Sequence, residues 1–494
     1  MFQKHMAVRG LAGFALVLAA CAIDPVSGRP EAVLTSEAGE IEQGRDAAKT
    51  VEEQLGLVES QRLSTYLNAI GQRLVRHSPR AHLEHHFYLV DMTAPNAFAL
   101  PGGHVYVSRG LLSLVNSEDE LANVIGHEIG HVAARHSVER QVRSVPFIPV
   151  KIAAGIGGLA VGMVAPRLGR VVEGVAQLPG AFALATYSRS QEREADRIGQ
   201  KLAAAAGWDP AAMGTFMDTL AREEALAGQD PTRTSFFASH PSSPERAAET
   251  GAFAKTLERA KPDPVAATQA EFLGRLAGLV VGEPAAGGVF VDNRFLHPDL
   301  GFALAFPDGW ETQNTRSLVA ARDPDETGFA VLKIVDEGDD PVTAANAFAG
   351  EHGLTEGPRS LRIGGLPAAR GVSTTGRPLT GGSLHLTWVA HRGRVYLVAG
   401  ICPKERFSAN RPLFEAMGGS FHPLTPAERA EVRESRLRIV EARQGETLRQ
   451  LLERAGGSWT PEEAAVANGL EVNTSLRRGA LIKIAVPEPY TPAR

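Results

Sequence analysis

The chain has 494 residues, a formal net charge of −5 and a pI near 6.3. That length exceeds what a single hydrophobic core organises, so about two to four domains are expected. The charge balance lacks the basic footprint of a nucleic-acid binder, and two cysteines, Cys21 and Cys402, are too few for a disulfide framework.

At the N-terminus, Lys4 and Arg9 flank the start of an apolar run from Leu11 to Ala20 that is too short to span a bilayer. Leu18-Ala19-Ala20-Cys21 resembles a bacterial lipobox. The resemblance implies a lipoprotein signal peptide over residues 1–20, cleavage before Cys21 and acylation of its thiol. Ala22 follows where an aspartate would retain the protein at the inner membrane. The expected location is therefore the periplasm, with a lipid anchor in the outer membrane. Residues 21–35 read as a tether.

From Ser36 to Val75, Ile41, Val51, Leu55, Leu63, Tyr66, Ile70 and Leu74 are spaced for the buried faces of two helices. His86–Val90 reads as a strand. Pro101-Gly102-Gly103 predicts a chain reversal into a strand over His104–Val107. That strand is expected to form an edge beside the active site, where an extended peptide can add. Ser117-Glu118-Asp119-Glu120 is a predicted capping box: the serine accepts from the N3 amide while Glu120 reaches back. It opens a helix expected to run to about Arg135. Ile152–Ala165 is uncharged but short for a membrane span, which suggests a buried or interfacial segment within the Gly-rich stretch 145–186. Helices are then expected near Ser190 through Ala205, after Pro210, and from a Ser243 N-cap with Pro244 at N1 to about Arg259.

The helix opened by Ser117 carries His127-Glu128-Ile129-Gly130-His131. Two histidines four apart share a helix face, so both rings can reach one metal ion. Glu128, beside the first histidine, can reach a water instead, the division of labour that metal-assisted hydrolysis requires. Glu192 and Asp196 are also four apart. Glu192 can supply a third ligand, and Asp196 can accept the N–H of a ligating histidine. Glu194 points to another side. His136, five residues past His131, turns away by about 140° on an ideal helix.

These stretches, HEIGH and SRSQEREAD preceded by NAFALPGGHVYVSRGLL, resemble the gluzincin family of zinc metallopeptidases that includes the CAAX prenyl proteases and the heat-shock membrane proteases. The likeness is closest to its soluble periplasmic members and runs from about Ser36 to Ala260. It implies one zinc ion per chain held by His127, His131 and Glu192, with Glu128 as catalytic base. Phe236-Phe-Ala-Ser-His240-Pro241, then Glu245-Arg246, resembles the family's H-P…R element. It offers His240 or Arg246 as a fourth ligand or oxyanion stabiliser. His240 can alternatively block the open position in a resting state.

Pro284–Gly288 reads as a linker. Beyond it, strand patterns at Gly301–Phe306, Phe329–Val335, Ser383–Val389 and Val395–Ile401 are separated by turn signals. FLHPDLGFALAFPDGW (295–310) is similar to PsbP-like α/β sandwiches, with His297 and Trp310 read as packing residues. A helix is expected over Pro426–Glu434. The terminal segment, with Glu441–Leu448, Ala467–Leu470 and Leu476–Ile484, resembles a LysM module, which implies a βααβ fold and peptidoglycan as a partner. The expected architecture is multidomain: a mainly α, zincin-like protease domain with a small β-sheet (36–283), an α+β accessory domain (290–423) and a LysM-like module (436–488). The expected function is a lipid-anchored zinc endopeptidase acting on unfolded or misassembled envelope proteins, with the outer-membrane assembly machinery among its partners. The alternative is a peptidoglycan-associated chaperone or scaffold that binds such clients.

Overall fold

The computed structural model describes residues 21–138, 186–228, 236–374 and 382–492, apart from Asp24, Ser27, Arg29, Val33, Leu34, Ser242, Ser243 and Glu326. The expected signal peptide and the Gly-rich run around Ile152–Ala165 lie outside the described residues. Among the described residues, no helix is long and apolar enough to cross a membrane.

The chain is multidomain, with a helical N-terminal region and a large β-rich region after it. Where a tether was expected, β1 (Cys21–Ile23) and β2 (Pro30–Ala32) pair antiparallel. Helices α1 (Glu37–Gln54) and α2 (Gln61–Val75) start at Ser36 and Ser60, whose side chains accept from Gly39 N and Leu63 N. A small sheet follows, built from β3 (His86–Val90), β4 (Ala97–Leu100) and β5 (His104–Ser108) in the order β3-β5-β4. Gly102 and Gly103 adopt positive φ (75° and 92°), which reverses the chain between β4 and β5. The strand after that turn is therefore central, not the expected edge. The edges are β3 and β4, and the sequence pattern hides β4 because all four of its residues are buried and apolar, without alternation.

Next come α3 (Arg109–Leu114), α4 (Glu118–Ala133), α5 (Arg189–Ala205), α6 (Ala212–Ala227), α7 (Phe236–Ser239), α8 (Pro244–Ala254) and α9 (Gln269–Leu276). Helix α8 stops before the expected Arg259. The core lies between α2, the sheet, α4 and α5, with Leu67, Ile70, Val105, Leu121, Ile125 and Ile129 fully buried.

Helix α4 is pinned at both ends. At its start, the Glu118 carboxylate accepts from Tyr66 Oη (2.6 Å), Trp208 Nε1 (2.9 Å) and the amides of Val265 and Ala266. Ser117 caps the helix as expected, accepting from Glu120 N at 3.1 Å, but Glu120 reaches past Ser117 to the amide of Asn116 (2.7 Å). At its other end, Arg80 donates to Val132 O (3.1 Å) and to the buried Glu40 (2.7 Å). Glu40 also accepts from Arg135 (3.0 Å). Arg135 has φ of 55°, so α4 ends at Ala133 and the chain folds back two residues before the expected boundary.

The β-rich region begins with a turn at Ala285–Gly287 in which Ala285 is buried, so the expected linker is an ordered corner. Strands β6 (Val289–Val291), β7 (Arg294–His297) and β8 (Phe302–Ala305) form one antiparallel sheet. The second sheet contains β9 (Glu311–Asn314), β10 (Val319–Arg322), β11 (Phe329–Glu337), β12 (Glu356–Ile363), β13 (Leu366–Ser373), β14 (Gly382–His391) and β15 (Arg394–Pro403). Its order is β12-β13-β14-β15-β11-β10-β9. Phe295, Phe302, Leu332, Tyr396 and Phe414 fill the space between the sheets. Helix α10 (Pro341–His352) covers the other face of the larger sheet, and α11 (Phe407–Gly419) supplies Phe414. Strand β16 (His422–Pro423) joins β8.

Helix α12 (Pro426–Glu431) ends before the expected Glu434, because Arg433 already begins β17 (Arg433–Glu441). Two helices, α13 (Leu448–Ala455) and α14 (Pro461–Ala467), then lead to β18 (Leu481–Pro489), which pairs antiparallel with β17. This terminal unit returns to the helical region. Gly278 N donates to Leu437 O and Leu437 N to Leu279 O, each at 2.8 Å. Buried Lys483 donates to Ser113 O (2.8 Å) and Val115 O (2.7 Å) at the end of α3.

Candidate metal centre

Two crossing helices make the site. Helix α4 places His127, Glu128 and His131 in its buried face, and α5 places Glu192 in its first turn and Asp196 one turn later. The α5 start is fixed by a capping box between Ser188 and Gln191. The helices approach closely because their contact is glycine-lined. A Cβ on Gly199 would lie 2.6 Å from His127 N, and one on Gly130 would lie 2.9 Å from Ala195 O. Side chains at those points would push Glu192 away from the two histidines.

The third contributor is His240, which follows α7. Its Nε2 faces Ala97 O of the edge strand β4 at 3.2 Å, and its Nδ1 faces Glu192 Oε1 at 3.1 Å. His127, His131, Glu192 and His240 are all buried, with one ligand atom from each lying within 4.8 Å of the others. Neighbouring donors are 3.0 Å apart (His131 Nε2 to His127 Nε2), 3.3 Å (His127 Nε2 to His240 Nδ1) and 3.4 Å (His131 Nε2 to Glu192 Oε1). A tetrahedral zinc ion with bonds of about 2.0–2.1 Å separates its ligand atoms by about 3.3 Å. Both donor type and spacing therefore fit zinc.

Around the donors, His127 Nδ1 faces Asp196 Oδ1 at 2.9 Å. Arg246, on α8, grips Asp196 through Nε (2.5 Å) and one terminal nitrogen (2.8 Å), and reaches Glu192 Oε2 with the other (2.6 Å). It also donates to Pro241 O. Arg246 thus braces two carboxylates and stands outside the donor group. Glu128 Oε1 lies 3.6 Å from His240 Nε2.

Burial opposes the charge on the Glu192 carboxyl, but His240, His131 and His127 outweigh it and hold the group well below the usual carboxylate range. Asp196 is likewise lowered against burial, by Arg246 and His127. Burial pushes His131 well below the ordinary imidazole value despite Glu192. His240 is raised: burial acts downward, and the Glu192 and Glu128 charges overcome it.

Two neighbours were not assigned a part by the sequence reading. Tyr187 stacks on the His131 ring at 3.7 Å between centroids. His136, expected to turn away, lies with Nδ1 2.9 Å from His131 Nδ1. The ideal-helix angle does not apply to it, because α4 has already ended. The positive φ of Arg135, which pattern cannot reveal, returns His136 to the cluster.

Residues 61–252 match peptidase family M48. The chain is similar to the beta-barrel assembly-enhancing protease of Escherichia coli (strain K12), 33% identical over 183 residues, which cover 35% of this chain and 36% of that protein. It is also similar to the mitochondrial metalloendopeptidase OMA1 of Schizosaccharomyces pombe, 32% identical over 227 residues, covering 45% of this chain and 63% of that protein. The matched part is thus about a third of the enterobacterial relative's length. The solution structure of cyanobacterial PsbP (CyanoP) from Synechocystis sp. PCC 6803 covers 29% of this chain and 98% of its own at 16% identity, with a TM-score of 0.22. That overlap is too slight to carry an argument.

Proposed function

Starting from a chain that carries a family M48 peptidase domain over residues 61–252, we propose a zinc-dependent endopeptidase that cleaves unfolded or misassembled envelope proteins. The observation that carries this is the buried convergence of two imidazoles and one carboxylate from α4 and α5, with Glu128 beside them.

His127, His131 and Glu192 would hold the metal. Zinc, when bound, supplies Lewis acidity, which ionises water near pH 7 and polarises a carbonyl. Glu128 takes the proton of the attacking water and returns it to the leaving amine. Asp196 accepts the Nδ1–H of His127, fixing that ring with its Nε2 lone pair toward the metal. Arg246 keeps Asp196 ionised and holds both Asp196 and Glu192 in place. His240, whose Nδ1 stands among these donors, would join them at a bound metal in the resting enzyme and would have to swing out to admit substrate. His240→Ala is therefore expected to raise the cleavage rate, and unchanged activity with unchanged zinc content would sink that role. An extended substrate adds along β4, the edge strand beside His240.

The periplasmic location and the outer-membrane lipid anchor at Cys21 belong to the same proposal, supported by the lipobox-like sequence and by similarity to a protease named for β-barrel assembly. The region 290–423 is read as a PsbP-like accessory domain and the terminal β17-α13-α14-β18 unit as a LysM-like module. Burial of Lys483 against α3 favours bracing of the protease region over glycan capture by that module.

Zinc stoichiometry measured together with casein cleavage, for wild type and Glu192→Ala, tests the reading. One zinc per chain with cleavage, both lost in the variant, is expected. Cleavage that persists in Glu192→Ala overturns it.

A further inference from the structure

His136 is 1% exposed, yet the mechanism above gives it no task. Its Nδ1 meets His131 Nδ1 at 2.9 Å, on the side of that ring opposite the Nε2 that faces His127 and Glu192. Its own Nε2 lies 3.4 Å from Glu194 Oε2, and the Glu194 side chain is 42% exposed. The contact depends on a built feature of the chain. Arg135, at φ 55°, folds the backbone back, and its guanidinium is held by Glu40 Oε2 (3.0 Å) and Thr35 O (3.2 Å).

Proton bookkeeping along these atoms has one self-consistent solution once His131 offers its Nε2 lone pair to a metal. Nδ1 of His131 must then carry the proton and donate it to Nδ1 of His136. His136, accepting there, carries its proton on Nε2 and donates to the Glu194 carboxylate. Every polar atom of both rings is satisfied, and the negative end of the chain of bonds rests on a partly solvated carboxylate. Asp196 and Arg246 do the corresponding work for His127.

We propose that His136 and Glu194 are positioning residues for the second metal ligand: a His131–His136–Glu194 relay that fixes the His131 tautomer and ring orientation. The relay rests on the zinc reading given above. It assigns a purpose to Glu194, the carboxylate of the Glu192–Asp196 stretch that faces neither the donor group nor Arg246.

The test uses the full chain. Zinc affinity is measured by competition with a chelating dye, kcat and KM with an extended peptide, and folding from the melting of the zinc-free chain. His136→Leu removes the acceptor, whereas His136→Asn places an amide oxygen close to the lost Nδ1. His136→Leu is expected to weaken zinc binding by about 10–100-fold and to lower kcat with little change in KM. His136→Asn should recover most of both, which simple loss of packing would not produce. Glu194→Ala, at a partly exposed position that leaves the core intact, should weaken zinc binding several-fold and carries the test if His136→Leu does not fold. Wild-type zinc affinity in either His136→Leu or Glu194→Ala overturns the relay, as does an Asn variant no better than Leu. If the wild-type chain itself takes up no zinc, the zinc reading falls and the relay falls with it.

Discussion

Buried histidines occur in both large regions of this molecule, with opposite consequences. In the β-rich region the half-buried His297 and the buried His385 stand singly, and desolvation pushes each down to about 4, below the ordinary imidazole value. His297 accepts from Leu300 N at 3.2 Å, and His385 has Glu415 3.7 Å away. In the helical region His127, His131, His136 and His240 converge on one another and on Glu192, Asp196 and Arg246. There His240 is raised by the carboxylates it faces. Burial alone therefore makes a neutral packing ring; a site requires carboxylates and further rings to arrive at the same point.

The sharpest break of that contrast is catalytic. Glu128→Gln should lower casein cleavage by about 10²–10⁴-fold while zinc content and binding of unfolded clients persist, whereas His385→Gln should leave cleavage unchanged. If the cellular role survives Glu128→Gln, the chaperone or scaffold alternative is the main function. Next in size, Arg246→Met leaves the Asp196 and Glu192 charges buried without their cation. Denaturant titration of the zinc-free chain should show a loss of about 3–5 kcal/mol.

A third test exploits the isolated rings. With folded values near 4 for His297 and His385 and an unfolded value near 6.5, the unfolded chain binds protons that the native β-rich region does not. Stability therefore falls as pH drops from about 6.5 towards 4. Denaturation midpoints should fall as pH drops across that range, and the double change to glutamine should flatten the fall by up to about 3 kcal/mol for each ring. The smallest effect concerns Lys483, a lone buried cation whose pKa burial pushes down to about 7, with Glu120 partly opposing the shift. Its folded value lies below its unfolded one, so the terminal unit should dock more stably as pH rises from about 7 to 10. Lys483→Met should abolish that slope and cost about 1 kcal/mol by leaving two carbonyls without a donor. Hydrogen exchange of β17 and β18 measures both.

Much of the helical region is legible because its signals are local. Serines cap α1, α2, α4 and α5, and each helix carries apolar residues at helical spacing. The strands β11, β14 and β15 are legible for the same reason, and the shorter β8 is marked by the Pro307-Asp308-Gly309 turn signal that follows it. Strands β4, β6 and β9 are not, being three or four residues long with no alternation to betray them. The Gly126/Gly130 and Gly199 contact left no pattern pointing to a helix crossing, although the spacing of all three glycines shows in the sequence once the partner is known.

The sequence by itself picked out which side chains are spaced to share one metal-sized point. The i, i+4 spacing puts His127 with His131 and Glu192 with Asp196 whatever the rest of the chain does. Only the tertiary structure decided which groups surround them: Arg246 on the carboxylates, His240 among the donors, His136 behind His131, β4 as an edge. Helix periodicity is fixed by backbone hydrogen bonds between near neighbours, so it is written locally. The second set depends on backbone turns at Gly102, Gly103 and Arg135, and on contacts between residues more than 40 positions apart, such as Arg135 with Glu40 and Arg246 with Asp196. Those contacts come into being only when the core closes.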